Sequence, residues 1–258
     1  MRMQIDVLLD YALQQPGTAL LVIEAAGATG QEIVQGAIDL GNPERTARVP
    51  AEEGIGERLI VRASDRLYCN YTATVEVTRP RPDLASLSQV EVEDMSGDAL
   101  RYLLPSVYCP VDRFFNFINT RFDGLTGGAR VAALRDWVEE NLSYVAGASN
   151  AETTSADTFL DRQGVCRDYA HLMISLCRAC QIPTRFASVY APSVTPPDFH
   201  AVVEVYLDGA WHLVDPTGMA HADTMAIVAV GRDAADAAFL TTTTTAELRQ
   251  QTVSVRTL

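Results

Sequence analysis

The sequence predicts an α+β fold in two parts, a β-rich segment over residues 1–105 and a mixed segment over residues 106–258. Three observations predict it. Apolar and polar residues alternate over Leu67–Thr78, apolar residues recur at three- and four-residue steps between Ala129 and Gln181, and the period returns to two after Pro183.

The first part reads as strands and turns. Leu67, Cys69, Tyr71, Ala73, Val75 and Val77 alternate with polar neighbours, the pattern of a half-buried antiparallel strand. Weaker strands are expected at Met3–Tyr11, Ala19–Ala25, Glu32–Leu40 and Glu57–Val61, separated by Pro16-Gly17, Gly41-Asn42-Pro43 and Gly54. Short strands at that spacing predict a sandwich-like unit, with Cys69 as inward packing. Arg79-Pro80-Arg81-Pro82 then reads as a linker.

Helical spacing follows. Short helices are expected at Arg101–Leu104 and Asp112–Phe122, and a longer one at Ala129–Leu142 with Leu134, Trp137, Val138 and Leu142 on one stripe. Thr154 and Asp157 have capping-box spacing for a helix running to Arg162. From Val165 to Gln181, the residues Tyr169, Leu172, Met173, Leu176, Cys177 and Cys180 mark one buried face. Strands return at Arg185–Ala191, Phe199–Leu207 and Ala210–Asp215. A small Ala-rich helix lies in Gly231–Leu240, and Thr252–Val255 is placed to close a sheet.

Two local features carry chemistry. Cys166 falls in the first turn of its helix, where free N–H groups and the positive end of the macrodipole favour a thiolate. Asp208-Gly209 is the preferred two-residue hairpin turn, and it sets the register of the strands around it. Counting outward from Leu207 opposite Ala210, Glu204 faces Leu213 and Val202 faces Asp215. His200 is then on the Asp215 face, diagonal to it at about 7–8 Å between backbones, within bridging reach. His212 falls on the other face, and Glu204 lies about 13 Å along the strand. A thiol needs a base, and the base needs a group to hold its tautomer; Cys166, His200 and Asp215 supply those three types. The Cys166 backbone N–H is placed to meet a developing oxyanion, with Gln163, Tyr144 and Trp137 as candidate side-chain donors.

Composition narrows the partners. With 48% hydrophobic and 21% charged residues, a packed chain is expected rather than a disordered one. An excess of 33 acidic over 20 basic residues, a net charge of −13, argues against nucleic acid and anionic membranes as partners. The runs Ala19–Ile23 and Met225–Val230 are too short to span a bilayer. The opening Met1-Arg2-Met3-Gln4-Ile5-Asp6 places an acid where the apolar region of a secretory signal would run. With five scattered cysteines, the expected compartment is the cytoplasm and the thiols are expected to be reduced.

The stretches Gly164-Val165-Cys166-Arg167-Asp168-Tyr169-Ala170-His171, Phe199-His200-Ala201 and Asp215-Pro216-Thr217 resemble the core of the transglutaminase-like superfamily, chiefly its bacterial cysteine-protease branch. The resemblance is strong over residues 130–217. It implies a papain-like Cys-His-Asp triad at Cys166, His200 and Asp215. It also implies a Cys-bearing helix packed on an antiparallel sheet behind a β-rich N-terminal domain. The chemistry implied is hydrolysis of a peptide or isopeptide amide through a thioester, with no cofactor and no metal. Many members carry an aromatic residue two positions after the histidine, where this chain has Val202. Amine transfer of the transglutaminase type, and a non-catalytic scaffold keeping the fold, are the alternatives. Cys177 and Cys180 have C-x-x-C spacing, but both fall on the apolar stripe away from the helix N-terminus, and they read as core. His171, on the opposite face with Arg167, Asp168 and Ser175, reads as a hydrogen-bonded residue behind the site.

Overall fold

A computed structural model describes residues 1–258. The first part carries β1 (Arg2–Leu13), β2 (Gly17–Leu21), β3 (Gln31–Asp39), β4 (Arg45–Pro50), β5 (Glu57–Ala63) and β6 (Arg66–Val77). Six helices follow within the rest of the chain: α1 (Gly97–Leu100), α2 (Phe115–Arg121), α3 (Gly127–Asn141), α4 (Ser155–Asp161), α5 (Cys166–Ala179) and α6 (Ala234–Ala237). The later strands are β7 (Ser143–Tyr144), β8 (Gln163–Gly164), β9 (Thr184–Tyr190), β10 (His200–Leu207) and β11 (Ala210–Val214). The chain closes with β12 (Ala226–Gly231), β13 (Leu240–Thr242) and β14 (Ala246–Thr257).

Three four-stranded antiparallel sheets form, in the orders β14-β1-β6-β3, β13-β2-β5-β4 and β11-β10-β9-β12. The alternation read in Leu67–Thr78 is the inward face of β6. Val7 lies opposite Tyr71 and Leu9 opposite Cys69, all buried. The mixed α+β architecture is the expected one, and α5 packs on β9 and β10.

The expected division at residue 105 is not followed by the C-terminal strands. Residues 240–257, assigned by sequence to the second part, pair with the first: Leu240 with Leu21, and Val253 with Val7. One cluster of 54 buried residues runs through both parts, from Ile5 and Leu21 to Leu134 and Leu172. Nor is the Arg79–Pro82 stretch a free linker, since the Arg79 guanidinium donates to the carbonyls of Ala222 at 3.2 Å and Met225 at 3.1 Å.

Among the strands not expected from the sequence, β4 and β12 were hidden for opposite reasons. Every residue of β4 is exposed, so no buried face alternates. Every residue of β12 is buried, so Ala-Ile-Val-Ala-Val-Gly reads as a short apolar run without a period. Helix α5 is likewise buried on all sides. Asp168, His171 and Ser175, on its expected polar face, and Arg178 beyond them are covered by other segments and hydrogen-bonded there. Ser175 meets Ser155 at 2.7 Å, and Arg178 donates to the carbonyls of Thr184 and Leu104, each at 2.9 Å. No helix is long and apolar enough to cross a membrane.

Candidate active site

Cys166 is the first residue of α5 and half-buried. The turn that presents it is pinned by Asp168. That carboxylate accepts from the Val165 backbone N–H at 2.8 Å, the Ser149 hydroxyl at 2.5 Å and the Arg167 guanidinium at 2.9 Å. An acid at the third helical position satisfies a donor that the helix leaves free and complements its dipole. Gly164 is needed beside it, because a Cβ there would sit 2.7 Å from the Asp168 Cβ.

His200 opens β10, and the hairpin brings its acid. Asp208 and Gly209 have φ of +50° and +75°, as a type I′ turn requires. The expected register is present, with Leu207 opposite Ala210 and Glu204 opposite Leu213. Asp215 follows β11 directly, and its Oδ2 lies 2.8 Å from His200 Nε2, both side chains being fully buried. The Asp215 carboxylate also accepts from the Thr217 N–H at 2.8 Å, the Thr217 hydroxyl at 2.7 Å and the Ala220 N–H at 2.9 Å. The Asp-Pro-Thr triplet is thus an Asx-type turn and a partner for His200 at once; its turn chemistry was readable in the sequence, but the role of Thr217 was not.

Burial works against charge on both partners, and their contact reverses it. Burial lowers the pKa of His200, but its hydrogen bond to Asp215 and the nearby Cys166 raise it further, to about 10. Burial raises that of Asp215, and the His200 and Thr217 contacts bring it below the ordinary carboxylate value. The other ring nitrogen of His200, Nδ1, is buried with no hydrogen-bond partner. Cys166 bears on the ring's charge without a hydrogen bond to Nδ1.

The three candidate oxyanion donors part company. Tyr144 in β7 pairs with Gly164 in β8, a two-residue parallel bridge that sets it on the Cys166 side of the site. Burial and then the charge of Cys166 push the Tyr144 phenol well above its ordinary pKa. It remains 41% exposed, at the surface end of the site. Gln163 has an exposed side chain in β8 and engages nothing. Trp137 is 7% exposed and belongs to the core: its ring lies 4.8 Å from Phe117 and 5.7 Å from Phe159, under the Arg162 guanidinium. It shares the stripe of Leu134 and Val138, which faces inward. Val202 is fully buried in a second apolar cluster of 11 residues. Cys177 and Cys180 are buried too, and burial pushes the Cys180 thiol up to about 11.

Comparisons with known proteins agree with this architecture. Residues 118–216 match the model of the transglutaminase-like superfamily. The crystal structure of a putative cysteine protease from Cytophaga hutchinsonii superposes with a TM-score of 0.94 and 32% sequence identity, covering 99% of this chain and 90% of that one. An uncharacterised protein of Mycobacterium leprae, ML0607, is 28% identical over 180 residues, 65% of this chain. The matched region spans 64% of the length of that relative.

Proposed function

Since the chain belongs to the transglutaminase-like superfamily, we propose that it is a thiol-dependent acyl-transfer enzyme that hydrolyses a peptide or isopeptide amide, with Cys166, His200 and Asp215 as its triad. The observation that carries this reading is the His200 imidazole. Asp215 holds one nitrogen at 2.8 Å, and the other is left without a partner in a buried site that Cys166 borders.

In the proposed reaction, His200 takes the Cys166 proton as the sulfur attacks the amide carbonyl carbon. The Cys166 N–H and the Tyr144 hydroxyl stabilise the developing oxyanion. The carbon–nitrogen bond breaks as His200 returns the proton to the leaving amine, which departs and leaves a thioester. Water, deprotonated by His200, then cleaves the thioester and restores the thiol. Asp215 keeps the ring oriented and compensates its charge throughout. The protease branch of the family supports water rather than an amine as the acceptor.

The test is thiol reactivity. Iodoacetamide at pH 6–7 is expected to alkylate Cys166 far faster than the other four cysteines, and His200→Ala to remove that advantage. A peptide and amide library turned over by the wild type but not by Cys166→Ala would then define the substrate. Equally slow labelling of all five thiols would leave a scaffold that keeps the fold.

A further inference from the structure

A cavity of 280 Å³ opens beside the triad acid, between α3, the Arg81–Leu84 segment and the turn from Asp215 to Ala222. Charges of both signs line it: Arg81 and Glu139 are solvent-exposed and neither has a protein partner. Arg81 makes no ion pair and no hydrogen bond, although it lies in a chain of net charge −13. Glu139, on α3, has no cation either, and its carboxylate rests against Gly218, where a Cβ would overlap it. Arg135 is taken by its neighbour Asp136 at 2.5 Å. His221 presents a further donor at the wall, and Leu84 and Leu213 supply apolar surface.

Two opposite charges that share a small cavity and do not neutralise each other are complementary to a dipolar ligand, not to a simple anion or cation. An arginine guanidinium favours a carboxylate through its paired donors, and a free carboxylate favours an ammonium. The volume suits one or two amino-acid residues.

We propose that this cavity binds a small zwitterion, a free amino acid or a short peptide with both termini free, with its carboxylate on Arg81 and His221 and its ammonium on Glu139. The Ala220 N–H that holds Asp215 belongs to the same wall, so an occupant touches the segment that positions the triad acid. The proposal concerns binding alone and does not depend on Cys166 being a nucleophile.

Titration calorimetry on the full chain tests it, with L-valine as zwitterion, isovalerate as its carboxylate half, isobutylamine as its ammonium half and glycyl-valine as the peptide form. One zwitterion is expected to bind saturably, at least about tenfold tighter than either half. The stronger of valine and glycyl-valine identifies the source. Arg81→Ala is expected to abolish the residual isovalerate binding and spare isobutylamine, and Glu139→Gln to do the reverse. That crossed pattern cannot arise from misfolding. Cys166→Ser is expected to bind like the wild type, which separates this proposal from the acyl-transfer reading. Absence of saturable binding by both zwitterions up to about 50 mM, or equal binding of isovalerate and valine, overturns it.

Discussion

His200 Nε2 and Asp215 Oδ2, fifteen residues apart, lie 2.8 Å from each other because a two-residue turn folds β11 back on β10. The contact fixes which ring nitrogen is engaged, and Nδ1 has no hydrogen-bond partner. Asp215→Asn replaces an acceptor by a group that also donates, and so favours the wrong tautomer. Its expected effect is a fall of about 10²–10⁴-fold in the rate of Cys166 alkylation by iodoacetamide at pH 7. An unchanged rate would remove Asp215 from the mechanism.

In the proposed mechanism, Tyr144 separates oxyanion binding from thiol activation. Alkylation by iodoacetamide forms no oxyanion, whereas amide hydrolysis does. Tyr144→Phe should therefore slow turnover of the library-defined substrate by about 10²-fold while leaving the alkylation rate within about twofold. Equal losses in both assays would make Tyr144 a support for the thiol instead.

His171 makes stability depend on acid. Burial holds its pKa down at about 3, and its Nε2 accepts from the Ala234 N–H at 3.1 Å. In the unfolded chain an ordinary histidine binds its proton near pH 6.5, so between about 6.5 and 3 the unfolded state binds more protons. Stability must then fall as the pH falls through that window, by up to about 1.4 kcal/mol per pH unit from this one group. Urea midpoints measured from pH 7 to pH 4 should decline less steeply in His171→Gln than in the wild type.

Gly164 has no room for a methyl group. Gly164→Ala drives a Cβ against Asp168, whose carboxylate caps the Cys166 turn. A loss of about 1–3 kcal/mol in urea unfolding is expected, together with slower Cys166 alkylation as the turn shifts. Loss of stability with full alkylation would show that the turn adapts.

Gln31 ties the two parts together. Its amide, buried, donates to the carbonyls of Ala26 at 2.6 Å and Ile227 at 2.8 Å, and accepts from the Ile227 N–H at 2.6 Å. Gln31→Leu strands those backbone groups and should cost about 2–4 kcal/mol, lowering a single unfolding transition. Two separate transitions in the wild type would instead mean that the parts fold independently.

Local signals in the chain determined much of this protein. The alternation of β6, the capping-box start of α4, the apolar steps of α5 and the Asp208-Gly209 turn each sit within a few consecutive residues, where period and turn chemistry are legible. The turn alone was enough to select His200 and Asp215 from four histidines and 33 acids, because strand pairing propagates a register outward. Tertiary structure decided the rest. The pairing of β14 with β1, the cover that buries the polar side of α5, the uniform burial of β12 and the placing of Tyr144 rather than Trp137 at Cys166 all join segments far apart in sequence. Such choices depend on which distant surfaces fit together, and a periodicity describes only the face an element offers, not the partner that covers it.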